Sequence, residues 1–200
     1  MGVMCNLMNT IHQKLTSKIL KYIPLNEVDI QTISNDFESI IVSKNTMLEV
    51  ENKPTKYLYF IIEGYVRVFY IIDGEERTTQ INCPSGFITS FQSFITNTTA
   101  YDNVQTISEC HLLRITKDKL DKLNESVKDW GIFGEKIYEQ ALIYNENRTR
   151  DMILMNAEER YLKLMQTQPD IIQNVPLQYI ASYIGIKPES LSRIRRQITF

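Results

Sequence analysis

The sequence predicts an α+β fold made of an antiparallel β-roll, one long helix and a C-terminal pair of short helices. Three observations predict it. Short β-prone runs follow one another through residues 46–115, separated by turn residues with no helix between them. Apolar residues recur at steps of three and four over several turns of residues 127–155. Residues 175–200 hold two amphipathic patterns joined by a glycine.

Taken in order, residues 8–23 and 26–40 read as helices. Leu15, Ile19 and Ile23 are spaced by four, Val28, Ile30, Ile33 and Phe37 follow, and Pro24 separates the two segments. The expected strands are 46–50, 57–62, 65–72, 76–82 and 104–115. Their turn signals are Asn52-Lys53-Pro54, Glu63-Gly64, Asp73-Gly74 and Pro84-Ser85-Gly86. Asp73-Gly74 between two strand patterns is a hairpin turn. Beyond Lys117, Leu120 and Leu123 belong to a short helix. The long helix then carries Trp130, Phe133, Ile137, Ala141 and Tyr144 as its seam. A solitary helix of that length is marginal. The seam can pack on the chain's own barrel or pair with a twin across a two-fold axis, and pairing is preferred, which makes these five residues the expected dimer interface. Residues 156–168 form a further helix, opened by an Asn156 cap with Glu159 three residues on.

In the last segment Leu177, Ile180, Ala181 and Ile184 share one helical face, and Gly185 sits where a left-handed C-cap is expected. Pro188 suits the first turn of a second helix. There Leu191, Ile194 and Ile198 form the apolar stripe, and Glu189, Ser192, Arg193 and Arg196 occupy the opposite face. The small Ala181 fits a close helix crossing, and the whole register is that of a helix-turn-helix. Residues 187–200 hold four basic groups and one acid. Arginine on the outer face of the second helix suits major-groove readout, because its planar fork matches guanine O6 and N7. Glu189 can accept from cytosine N4 or pair with Arg193 at i+4. Lys187, Ser190 and Arg195 complete the candidate DNA-binding set.

Composition narrows the classes. Hydrophobic residues make up 43% of the chain, enough for a core, and the formal net charge is −2, so nucleic-acid binding requires a local patch. No apolar run is long enough to span a membrane, and the N-terminus lacks the order of a secretory signal, so a cytoplasmic chain is expected. Cys5, Cys83 and Cys110 are far apart without a C-x-x-C pair, and His12 and His111 have no spaced partners. No metal site, cofactor or catalytic constellation is therefore expected, and the thiols read as buried or incidental.

The order of elements resembles the Crp/Fnr family of bacterial transcription regulators, over nearly the whole chain. The resemblance is carried by F-I-I-E-G-Y-V-R-V-F from Phe60, the Asp73-Gly74 hairpin, P-S-G from Pro84 and I-G-I-K-P-E-S-L-S-R-I-R-R from Ile184. The last run is similar to the Bacteroidetes-type branch. The resemblance implies a cyclic-nucleotide-binding-like sensor at 1–126, a dimerisation helix at 127–155 and a helix-turn-helix domain at 156–200. It also implies a homodimer on a two half-site operator in double-stranded DNA, a small-molecule effector and a contact with RNA polymerase. Glu189 and Arg193 match the family's base-reading Glu and Arg, whereas Pro188 falls where relatives place another base-contacting Arg. The wing that many relatives carry after the recognition helix is expected to be missing, since the sequence stops at Phe200.

The sensor departs from the family's phosphate cassette, a Gly-Glu pair followed about a dozen residues later by Arg-Ser/Thr-Ala. The matching residues here are Gly86-Phe87 and Thr98-Thr99-Ala100, so both charged groups are absent. Gly86, Phe87, Phe91, Thr98 and Thr99 are the candidate effector pocket, either apolar or plugged, and a response to cyclic AMP is not expected. The reading is a homodimeric DNA-binding regulator. The alternative is a ligand-binding β-roll module whose C-terminal helices contact a protein partner.

Overall fold

The computed structural model describes residues 2–198, with side chains from residue 11 onward. The Cys5 thiol and the segment after Ile198, where the expectation about the wing falls, lie outside the described residues. Two N-terminal helices, α1 (Gly2–Ile19) and α2 (Glu27–Asp36), precede the sheets. Asn26 opens α2 with a capping box, its side chain accepting from the Asp29 N–H at 2.9 Å while the Asp29 carboxylate accepts from the Asn26 N–H at 3.0 Å.

The β-roll consists of β1 (Glu38–Val42), β2 (Met47–Glu49), β3 (Tyr57–Glu63), β4 (Val66–Ile72), β5 (Glu75–Asn82), β6 (Phe87–Ile88), β7 (Asn103–Thr106) and β8 (Cys110–Thr116). They pair antiparallel in two four-stranded sheets, ordered β1-β8-β3-β6 and β2-β7-β4-β5. Asp73 and Gly74 both take positive φ, 53° and 78°, as a two-residue hairpin turn between twisted strands requires. Two expectations are corrected. Residues 38–40, expected to end a helix, instead join 41–42 in a strand that pairs with β8, because a strand there covers an otherwise open sheet edge. The single strand expected at 104–115 is two strands in different sheets. Between them Ile107 is buried and its N–H donates to the Tyr65 carbonyl at 2.7 Å.

Helix α3 (Phe91–Thr96) interrupts the strands, a feature the sequence reading missed. Then come α4 (Lys117–Ser126), α5 (Trp130–Leu154), α6 (Ala157–Thr167), α7 (Pro169–Asn174), α8 (Leu177–Tyr183) and α9 (Pro188–Ile198). Asn156 and Glu159 form the expected capping box at α6. Alternation along the strands divides the core. Tyr59, Ile61, Val66, Val68, Ile88, Val104 and Leu112 fill the space between the sheets. Leu58, Phe60, Ile62, Leu113 and Ile115 point the other way and are covered by α1, α2, α4 and the start of α5. A third core belongs to α6–α9 and includes Ile81 and Ile107 of the β-roll.

Candidate nucleic-acid interface and sensor

Helices α8 and α9 meet at a turn whose Gly185 takes φ +79°, and a Cβ there would sit 2.8 Å from the Met152 methyl carbon. The positive φ is what calls for glycine here, since the Met152 methyl ends a flexible side chain that can move aside. Leu191 and Ile194 are buried, which turns the opposite face of α9 outward: Glu189, Arg193 and Arg196 are exposed and Ser192 is half-buried. Among the described residues no ion pair joins Glu189 to Arg193, so of the two roles left open for Glu189 the local pairing is not the one observed. Arg195 is exposed and Ser190 half-buried on the flanks of this face.

Lys187, at the start of α9, forms an ion pair with Glu75 beside the β4–β5 turn. The ammonium holds the Glu75 carboxyl below the usual carboxylate range. The contact belongs to a larger docking surface. β5 is an edge strand, and the Ser182 hydroxyl of α8 accepts from the Thr78 N–H at 2.8 Å and donates to the Glu76 carbonyl at 3.1 Å. A single side chain thus satisfies edge groups that a further strand would otherwise take. Arg67, only 2% exposed, stacks between Phe69 at 4.0 Å and Tyr179 of α8 at 3.9 Å. Its guanidinium donates to Glu76 at 2.6 Å and to Gln105 at 2.6 and 3.0 Å. From α5, Arg148 donates to the Thr78 carbonyl at 3.3 Å and lies 4.1 Å from the Tyr183 ring. Sequence reasoning missed Arg67, Arg148, Tyr179 and Ser182, since none carries a local signal of the distant partner that it meets in the fold.

The seam expected to pair with a twin helix faces inward. Trp130 and Phe133 are buried in the core beneath the β-roll, with Ile137 packed against it. Tyr144 bonds Tyr183 through their hydroxyls at 2.8 Å, and burial followed by that contact pushes its phenol pKa up. Ala141 is half-buried on the same side. The exposed apolar ridge of α5 is a different one: Ile132, Leu142, Ile143, Ile153 and Leu154, each between 46% and 75% exposed. The physical reason is that α5 is apolar on both sides, and the seam from Trp130 to Tyr144 is consumed by its own chain.

Of the candidate effector residues, Phe87 and Phe91 line one groove, and Gly86, Thr98 and Thr99 lie outside it. Phe87 points to the outer side of its sheet, its ring 5.0 Å from Phe60 and 6.1 Å from Phe133. Gly86 belongs to a tight turn, donating to the Cys83 carbonyl at 3.1 Å. Thr98 and Thr99 lie exposed in the loop after α3. Phe91 stands edge-on to Tyr138 at 5.8 Å. Around the start of α3 the buried polar residues are Thr89, Ser90 and Ser93, and nearby burial pushes the Asp102 carboxyl up. Among the described residues no cluster of three or more His, Cys, Asp or Glu can hold a metal ion, and no helix is long and apolar enough to cross a membrane.

Comparison with known proteins adds the following. Residues 40–126 match the cyclic nucleotide-binding domain family. Among curated proteins no sequence matches significantly. The fold is similar to that of CLP, a c-di-GMP responsive global regulator from Xanthomonas campestris, with TM-score 0.69, 17% identity, and coverage of 87% of this chain and 92% of that one. FixK2 from Bradyrhizobium japonicum gives TM-score 0.69 at 15% identity, covering 82% and 84%. A transcriptional regulator assigned to the Crp/Fnr family from Eubacterium rectale gives 0.67 at 15%, covering 88% and 84%.

The docking surface makes a prediction. Ser182→Ala leaves the Thr78 N–H without its acceptor and is expected to cost about 1–3 kcal/mol in urea unfolding, with faster hydrogen exchange in α8. An unchanged midpoint together with unchanged α8 protection would show that this bond does not hold the helices to the sheet.

Proposed function

We propose that this chain, whose residues 40–126 form a cyclic nucleotide-binding domain and which has the fold of Crp/Fnr transcriptional regulators, is a homodimeric, sequence-specific DNA-binding regulator. The observation that carries the reading is the outer face of α9, where Glu189, Arg193 and Arg196 stand in solvent on a helix anchored by Leu191 and Ile194. A helix so mounted enters a major groove with its polar face toward base edges. Arg193 supplies the guanidinium fork for guanine, and Glu189 the acceptor for cytosine N4. Lys187 and Arg195 flank that face and serve as phosphate contacts, which position the protein without reading sequence.

The exposed ridge Ile132, Leu142, Ile143, Ile153 and Leu154 supports a dimer across a two-fold axis. Two α9 helices related by that axis read half-sites one helical turn of DNA apart, about 34 Å. The sensor does not answer to cyclic AMP. A cyclic phosphate brings a negative charge whose burial requires a counter-charge. Thr98 and Thr99 offer none, and Phe87 is turned away from the sandwich interior.

Arg193→Ala is expected to lose about 1–3 kcal/mol on a duplex selected from random sequence and to relax preference at one position, whereas Lys187→Ala weakens all sequences alike. Binding of the wild type should fall steeply with salt. Equal losses on selected and random DNA for Arg193→Ala overturn the base-reading role, and salt-independent retention points to a protein partner instead.

For the dimer, Ile143→Glu should give monomers by light scattering with the fold intact, and Ile137→Glu should destabilise the subunit itself. A dimer that survives Ile143→Glu argues against the exposed ridge as the interface.

Calorimetry with cyclic AMP is expected to show no binding heat up to millimolar ligand, and saturable micromolar binding would refute that part of the reading.

A further inference from the structure

A groove of about 330 Å³ opens between α3, α4 and the first turns of α5. Its walls are Phe87, Phe91, Phe94, Trp130 and Phe133. It lies on the outer side of the sheet β1-β8-β3-β6: Leu58 lines it, while the neighbouring Tyr59 points into the sandwich. It is thus separate from the space between the sheets, and of the cassette positions only Phe87 reaches it.

We propose that this groove binds a small planar aromatic compound that carries no negative charge. The volume lies at the lower end of ligand pockets, about 300–1,000 Å³, which are likewise walled by apolar and aromatic side chains with a few polar groups at the edge. The rings already stand in the geometry that receives another ring. Trp130 and Phe133 are tilted at 59° with centroids 5.4 Å apart, and Phe91 and Tyr138 meet edge to face at 87°.

Two glycines keep the groove open. Gly131 and Gly134 both line it, in the first turns of α5, where glycine destabilises a helix relative to alanine. Neither has positive φ, and the fold requires neither for space. A Cβ at Gly134 meets nothing within 4 Å, and one at Gly131 meets only the Asn124 Oδ1 at 3.4 Å. What their missing side chains accomplish is the opening itself.

Charge at the mouth sets the sign of the occupant. Lys117 is bound to Asp121 in an i,i+4 pair, so its charge is answered within the chain. Of the remaining polar groups, the Asn124 carboxamide and the Tyr138 hydroxyl can donate or accept, and the Glu135 carboxylate favours a donor or a cation and opposes an anion. A second copy of the chain is the poorer occupant, because the exposed ridge of α5 runs along Ile132, Leu142 and Ile143, beside the groove and not across it.

Trp130 is the sole tryptophan of the chain and lines the groove, so occupancy can be read directly. The full-length protein is titrated with 1-aminoanthracene and with its anionic twin, anthracene-1-carboxylate, following energy transfer from Trp130. Saturable micromolar binding of the amine is expected, with the carboxylate weaker by about tenfold or more. Gly134→Leu should fill the groove, raise the melting temperature and abolish binding. Phe91→Ala, which removes one wall, should weaken binding by about tenfold or more. Three results overturn the proposal: no saturable transfer with the amine, unchanged affinity in both variants, or a carboxylate that binds as tightly as the amine. A subunit mass that falls from dimer to monomer in Gly134→Leu, without aminoanthracene binding to the wild type, would assign the groove to a second copy instead. DNA binding is not read in any of these arms, so the outcome is independent of the function proposed above.

Discussion

A buried guanidinium holds the two halves of this chain in register. Arg67 is on an interior strand of its sheet, almost wholly removed from water, with an aromatic ring on each face and Glu76 and Gln105 in its plane. Taking such a charge out of water costs several kcal/mol unless geometry compensates, and removing one partner leaves the cost without the gain. Here the compensation is shared between the β-roll and the C-terminal helices, since Glu76 and Gln105 come from the sheet and Tyr179 from α8. Pulling α8 away exposes one face of the guanidinium and also strips the Ser182 hydroxyl from the strand edge. The arrangement of α9 relative to the β-roll is therefore set by groups in the sheet and not only by the linker between them.

The same docking shapes the charge of α9, a basic helix on an acidic chain. Glu75 and Glu76 sit close to the start of α9, where Lys187 meets Glu75 and Arg67 meets Glu76. Arg193 and Arg196, farther along the helix, are left facing water. The two arginines thus stand clear of the acidic pair, while the Lys187 ammonium, still largely exposed, shares its charge with Glu75.

What could be read from the sequence was local. The Asp73-Gly74 turn, the Asn156 cap with Glu159, the Gly185 turn and the inward stripe of α9 each rest on residues within a few positions of one another, and each stands in the structure. Where partners are distant, periodicity lost its power. On α5 it located an apolar seam but did not distinguish the face that meets its own barrel from the exposed one, because both faces are apolar. Phe87 was assigned to an effector pocket by its match to the family's cassette; strand alternation turns its ring outward toward Phe60 and Phe133, into the aromatic groove and away from the space between the sheets. The break at Ile107–Glu109 was hidden because a buried apolar residue in a turn looks like strand. Nothing near Arg67 in the sequence marks it as interior, because the Tyr179 ring that covers it comes from far along the chain.

Helix α5 joins the aromatic groove to the docked helices, and its 25 residues at 1.5 Å per residue make a rod about 37 Å long. Pivoted near Trp130, a tilt of about 5° would carry its far end about 3 Å. The hydrogen bonds linking Arg148 and Ser182 to the edge of β5 tolerate only a few tenths of an ångström. The rod therefore behaves as a lever working against a latch: small rotations at the aromatic end either drag β5 along with the helices or release it outright, and intermediate positions carry the cost of stretched bonds with none of the gain.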